Sequence, residues 1–303
     1  DLSEEMGYES IMDSVSRFRQ AATYQIRGTI LEDFGYYVNV YMARIGGDNA
    51  YINADPVLKN TFRTNRGNKV YFDRSSGEIA YRSPFIDFRF AHQPVSWGLG
   101  SSGKLILSDF PEQFPYISLA KYWKWGGFSF LHGKLMAEDT IETVQVQKIY
   151  PDKWITINRL EFSPCSRMAI GLTDMIIYGN RSVEWGYMLP IHYFRAVEHN
   201  LNDRDNALLA LDAEMRIYSR VKLYGTILID ELKKDELFSN WYGNKHGFQL
   251  GMHLVDPFKF SNLDIRCEYV AIMPWVYTHN YNINRFSTYG RPLGYWTGPN
   301  SEV

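Results

Sequence analysis

No run of eighteen apolar residues occurs in this chain of 303 residues, so it contains no candidate transmembrane helix. A dominant charge is also missing. The 32 Lys and Arg nearly balance 34 Asp and Glu, for a formal net charge of −2. That balance argues against nucleic-acid binding driven by a basic surface. Cysteine is scarce, with only Cys165 and Cys267, and neither has metal-ligand spacing. A disulfide between them would require an oxidising compartment; two free thiols are the simpler reading. The seven histidines form no HxH, HExxH or compact cluster, so no metal or other cofactor is expected. His192 and His199 read as solvated. The segment Gly98–Lys104 (GLGSSGK) looks like a phosphate loop but breaks the pattern, because Leu105 follows Gly103–Lys104. It reads as a tight turn.

Aromatic residues, in contrast, are abundant: 22 Tyr, 18 Phe and 8 Trp make up 16% of the chain. Two adjoining segments carry the clearest pattern. Leu209, Leu211, Ala213, Met215 and Ile217 alternate with Ala210, Asp212, Glu214 and Arg216. Val221, Leu223, Gly225, Ile227 and Ile229 alternate with Lys222, Tyr224, Thr226, Leu228 and Asp230. Strand side chains point to opposite faces with period two, so both segments read as strands with one apolar and one largely polar face. An apolar row turned outward describes a membrane β-barrel. The same row turned inward describes an ordinary half-buried sheet. Period alone does not choose between them.

Further strands are expected at 24–30, 36–45, 70–72, 81–92, 105–108, 116–124, 127–135, 154–162, 167–178, 247–254 and 263–273. The total is about a dozen to fourteen, many near the roughly 9–11 residues that cross a bilayer at a tilt. Residues 1–20 read as a lead-in of short helix or loose chain, and 21–303 as one β domain. One local conflict stands out. Ala207–Ser219 (ALLALDAEMRIYS) is rich in helix formers, and Leu208, Leu211, Met215 and Tyr218 would make a helical stripe. The neighbouring strands favour strand here, and Tyr193–Leu201 is the better helix.

Several stretches together resemble the Wzi-type capsule assembly family of bacterial outer-membrane proteins. They are Trp97–Leu119 (WGLGSSGKLILSDFPEQFPYISL), Phe128–Leu135 (FSFLHGKL), Asn158–Phe162 (NRLEF), Gly171–Asn180 (GLTDMIIYGN), Leu223–Leu232 (LYGTILIDEL), Cys267–His279 (CEYVAIMPWVYTH) and Leu293–Ser301 (LGYWTGPNS). The resemblance implies an all-β fold, a large antiparallel transmembrane barrel of about sixteen to eighteen strands in a complete member. It also implies a non-enzymatic, lectin-like protein of the outer membrane that holds capsular or other surface polysaccharide. Against such a member this chain departs at both ends, which reads either as a trimmed chain or as a smaller barrel closed differently.

In that orientation the polar rows face the barrel lumen. The residues concerned are Arg159, Glu161, Asp174, Asp212, Glu214, Arg216, Lys222, Asp230, Asp264, Arg266 and Glu268. They form either a carbohydrate- or ion-contacting surface, or a lattice of ion pairs that fills the interior. Most tryptophans fall near strand ends or loops, where interfacial anchoring accounts for them. Trp185 and Trp241 are the candidates for stacking on sugar. Two other functions remain open: a porin-like channel and a soluble all-β carbohydrate-active hydrolase. A hydrolase would need two carboxylates flanking the scissile bond. Asp212 and Glu214 share a face at roughly 7 Å, whereas Asp230 and Glu231 point to opposite faces.

Overall fold

The structure, a computed structural model, describes residues 2–11, 15–47, 63–144, 147–202, 204–231, 243–257 and 260–303. Among them are thirteen strands of seven residues or longer, and their described pairings are antiparallel. The described residues cluster into two compact units.

The first unit covers residues 1–84 and 89–93. It holds β1 (Leu2–Ile11), β2 (Val15–Ile30), β3 (Phe34–Gly47), β4 (Arg63–Arg66) and β5 (Lys69–Arg82), in the order β1-β2-β3-β5 with β4 on β5. The expected lead-in is therefore corrected: residues 2–11 pair along their whole length with 15–24. One face of this unit buries Ala21, Ala43, Ile45, Val70 and Phe72. The opposite face leaves Tyr24, Ile26, Val38 and Ile79 exposed. The strand expected over 81–92 is split, with β5 ending at Arg82 and β6 (Asp87–Gln93) beginning beyond Pro84. Proline has no N–H for the ladder, which accounts for the break.

The second unit covers residues 85–88 and 94–303. Its strands are β7 (Phe114–Trp123), β8 (Gly126–Met136), β11 (Asp152–Cys165), β12 (Met168–Gly179), β13 (Asn206–Ile217), β14 (Val221–Glu231), β15 (Lys245–Val255), β16 (Asp264–Ile272) and β19 (Ser301–Glu302), hydrogen-bonded in that order. Two small hairpins lie in the connections: β9 (Glu142–Val144) with β10 (Gln147–Ile149), and β17 (Ser287–Thr288) with β18 (Arg291–Pro292). Ala207–Ser219 is strand over Asn206–Ile217, so pairing on both sides overrides local helix propensity. Tyr193–Leu201 contains α2 (Phe194–Asn200), preceded by α1 (Trp185–Met188).

Connections differ sharply at the two ends of this unit. At one end, β7–β8, β11–β12 and β13–β14 are joined by only two or three residues. At the other, the segments 94–113, 137–151, 180–205 and 273–300 are long. Residues 105–108 belong to the first of these. They were expected as a strand, but make only a single bridge, between Trp97 and Leu107. Leu105, Ile106 and Leu107 are completely buried.

Which row faces out is now visible. Leu160, Leu172, Leu211, Met215, Ile227 and Leu250 are 43–58% exposed. On the other face of the same strands, Arg159, Thr173, Asp212, Thr226 and Gln249 are buried. The amphipathicity is the reverse of a soluble sheet: charge lies inside and hydrocarbon outside. Both cysteines are free and exposed.

Candidate functional site

The inner face of the second unit has two zones. Toward the short turns it is charged. Arg159 projects from β11 and lays its guanidinium across Gly171 of β12, where a Cβ would come within 2.3 Å of Nη2. Glycine at this position opens the path to the next strand. The guanidinium donates to Asp212 of β13 through Nη1 at 2.6 Å and Nη2 at 3.0 Å, to Thr173 at 2.8 Å and to Glu161 at 3.1 Å. Both ends of the Arg159–Asp212 pair are buried, with side chains 8% and 4% exposed. Glu214 pairs with Lys222 of β14 at 2.5 Å. Asp264 meets His253 at 3.3 Å and Arg266 at 4.0 Å. Arg216, beside the β13–β14 turn, is exposed.

Toward the long connections the inner face is apolar and filled. Ile155, Ile157, Met175, Ile177, Leu208 and Leu228 are buried there, as are Val276, Tyr277, Phe286, Leu293 and Tyr295 of the 273–300 segment. Asp230 accepts the Tyr277 backbone N–H at 2.6 Å. The Tyr277 hydroxyl donates to the Leu105 carbonyl at 2.8 Å. Burial pushes the Tyr277 phenol well above its ordinary pKa, so it stays a donor. Ser108 donates to the Gly294 carbonyl at 2.6 Å, joining the two filling segments.

Glu268 lies between the zones and holds the Gly98–Lys104 segment. Its carboxylate accepts the backbone N–H groups of Ser101 at 2.9 Å and Ser102 at 3.1 Å, and also the hydroxyls of Ser102 and Tyr224. Tyr224 reaches it by crossing Gly251, another inner-row glycine whose Cβ would strike the Tyr224 ring at 2.0 Å. Gln249 donates to the Gly103 carbonyl at 3.0 Å and Trp296 to the Ser102 carbonyl at 3.1 Å. Gly100 has φ of +129°, and a Cβ there would meet the Gly103 carbonyl at 2.0 Å. The expected tight turn is thus the tip of an inward-folded loop. Its sequence signal was the glycine spacing; its acceptor, 166 residues downstream of Ser102, had none.

One expected member of the inner row is corrected. Asp174 follows Thr173, which pairs with Arg159, so Asp174 points to the opposite face. There it accepts the Phe194 backbone N–H at 2.8 Å. The 180–205 segment packs on that outer face, where Tyr187 and Phe194 meet Ile176 and Tyr178. Arg181 grips Asp205 through two bonds of 2.9 and 2.5 Å, and the Tyr187 hydroxyl joins at 2.8 Å. Burial, followed by the Asp205 carboxylate, raises the Tyr187 pKa strongly. His132, missed from sequence, is buried nearby, stacked on Trp154 with ring centroids 5.4 Å apart. Trp185 stands on this outer-face cap, 81% exposed, with Leu189, Ile191 and Tyr193 also exposed. Trp241 lies outside the described residues. At the short-turn end, Trp123, Trp125 and Phe162 form an exposed aromatic cluster, with centroids 5.3 and 5.9 Å apart.

Residues 12–303 match the family described as capsule assembly protein Wzi. The chain belongs to the Wzi capsule assembly family. No curated protein matches the sequence. Among solved structures, the chain is similar to Wzi of Escherichia coli, described as an outer-membrane, carbohydrate-binding β-barrel involved in group 1 capsule assembly. Identity is 13% and the TM-score 0.63, over 99% of this chain and 64% of that one. The chain therefore spans just under two thirds of that relative's length. OmpT, an outer-membrane protein of Vibrio cholerae, aligns over 100% of this chain and 91% of its own, at 13% identity and a TM-score of 0.37. The fold is all-β, its large antiparallel sheet resembling those of outer-membrane β-barrels, and the family's place is the bacterial outer membrane.

Exposed hydrocarbon on one face of the sheet and buried charge on the other is the pattern of an outer-membrane barrel wall, whose apolar row meets lipid. Leu211→Arg is then expected to cost about 2–4 kcal/mol if the residue sits near the bilayer midplane. Folding titrations in phosphatidylcholine vesicles measure this. An unchanged stability would place this face away from lipid.

Proposed function

We propose that this protein binds surface polysaccharide through its long connections, as a non-enzymatic lectin of the outer membrane. Long loops of outer-membrane barrels are extracellular and short turns periplasmic. The ends carrying 137–151, 180–205 and 273–300 then face outward. The observation that carries the reading is the filled inner face. The 94–113 and 273–300 segments occupy the apolar zone, and Glu268 fixes the loop tip below it. A filled interior suits a binding platform better than a channel. The hydrolase reading loses its carboxylates, because Asp212 is held by Arg159 and Glu214 by Lys222.

Trp185 belongs to this reading as an anchor. It stands on the outer-face cap beside exposed Leu189 and Ile191, company that suits an amphipathic ring anchoring at a membrane boundary. The main sugar contact is placed at the loop end proper, with Trp185 as a peripheral candidate.

Two measurements test the proposal. Purified protein in planar bilayers is expected to show no large, stable conductance; sustained porin-like current would overturn the binding role. Labelled protein on an array of bacterial surface glycans is expected to bind, with Trp185→Ala retaining the signal. Absence of binding to every glycan would remove the lectin function.

A further inference from the structure

We infer that a cavity among the loop-end residues is the glycan subsite, and that it takes neutral sugars rather than uronates. The inference rests on the lectin reading above. The cavity is about 420 Å³, within the roughly 300–1,000 Å³ usual for small-ligand sites. Four chain segments line it: Glu138 to Ile141 after β8, Pro151 just before β11, Asn180 at the end of β12, and Asn280 to Ile283 before β17.

Its shape is built from beneath. The turn at Asn282–Asn284 presses on Gly179, where a Cβ would strike Ile283 at 2.3 Å. Asn206 donates to the Asn284 carbonyl at 2.9 Å, and Asn284 donates to the Arg204 carbonyl at 2.8 Å. These bonds fix the far wall from behind. Asn180 holds φ at +58°, a left-handed position that asparagine tolerates, and this turns the chain at the rim.

Its chemistry is that of a sugar site. Asp139, Thr140, Asn180, Asn280 and Asn282 are exposed along it, with the Tyr281 ring 59% exposed among them. Carboxylate and amide oxygens accept sugar hydroxyls, and amide nitrogens donate to them. An aromatic ring offers the apolar face of a pyranose a flat surface. Asn282 donates to Asp139 at 3.4 Å, which links two walls through groups that a sugar would share.

The charge distribution sets the sugar class. The neighbouring cations are engaged below or to one side. Lys153 is completely buried and donates to Ser287 at 3.3 Å; Ser287 donates to Glu138 at 2.6 Å; Arg285 faces Glu138 at 3.6 Å. Glu138 is thus matched, while Asp139 presents its carboxylate at the surface. An incoming uronate would meet a like charge, whereas a neutral hexose would meet acceptors and amides.

The test uses full-length protein in detergent, labelled and applied to an array of neutral, amino-sugar and uronic-acid oligosaccharides. Wild type is expected to favour neutral sugars over uronates. Asp139→Ala and Tyr281→Ala are expected to lower that signal at least tenfold while retaining the folded β-sheet circular dichroism spectrum. Asp139→Arg is expected to raise uronate binding. Neutral-sugar binding that survives both alanine variants would overturn the subsite yet leave the lectin function standing. A wild type that prefers uronates would overturn the sugar class. A wild type that binds no glycan would remove both.

Discussion

Asp212→Ala is expected to destabilise the folded protein by about 3–5 kcal/mol, the usual cost of leaving one member of a buried ion pair without its partner. Arg159 would keep its bonds to Thr173 and Glu161, at 2.8 and 3.1 Å, but lose both donations to Asp212. Its side chain is 8% exposed, so water makes poor compensation. Removing both charges together, as Arg159→Met with Asp212→Leu, is expected to recover most of the loss, because no uncompensated charge remains. Equilibrium urea unfolding in vesicles measures both variants. A single-mutant loss below about 1 kcal/mol would show that the pair is open to water and bears little of the inner lattice.

Glu268→Ala is the second large effect. One carboxylate satisfies the Ser101 and Ser102 amides and the Ser102 and Tyr224 hydroxyls. Each buried donor left without an acceptor costs about 1–3 kcal/mol. This loop is only partly buried, so the lower end applies. Gln249 and Trp296 still hold the Gly103 and Ser102 carbonyls, so the tip loosens without leaving. Amide exchange in the 97–104 segment is therefore expected to accelerate about tenfold, the equivalent of roughly 1.4 kcal/mol. Protection in β11–β13 is expected to persist. Unchanged exchange at Ser101 and Ser102 would show that other contacts hold the loop.

Much of the strand framework was readable from period-two alternation, and the structure adds why the misreadings occurred. Residues 105–108 carry an apolar run with strand character, yet become buried filling. A short apolar run specifies burial, and the ladder that receives it lies elsewhere in the chain. Residues 2–11 lack a clean alternation, and pairing with β2 organises them. Asp174 looked like another inner-row charge, but counting from Arg159 through its partner Thr173 puts it on the opposite face. Parity within one strand is legible in sequence; parity between strands depends on register.

The candidate site was less legible still. The glycines at 171 and 251 look like weak points in their strands, but they are the gaps through which Arg159 and Tyr224 reach their partners. The loop-end cavity joins residues 138–141, 151, 180 and 280–283, and no local pattern connects those segments.

The sequence by itself determined the strands, their two-faced character and, through its ordered motifs, the family. Side-chain alternation and turn chemistry are local properties, so local reading recovers them. Whether Asp212, Glu214 and Arg216 lay inside or outside was not a local property. The tertiary structure decided it by leaving Leu211 and Met215 exposed while burying Asp212 against Arg159. A buried charge needs its partner on another strand, and only folding brings the two together.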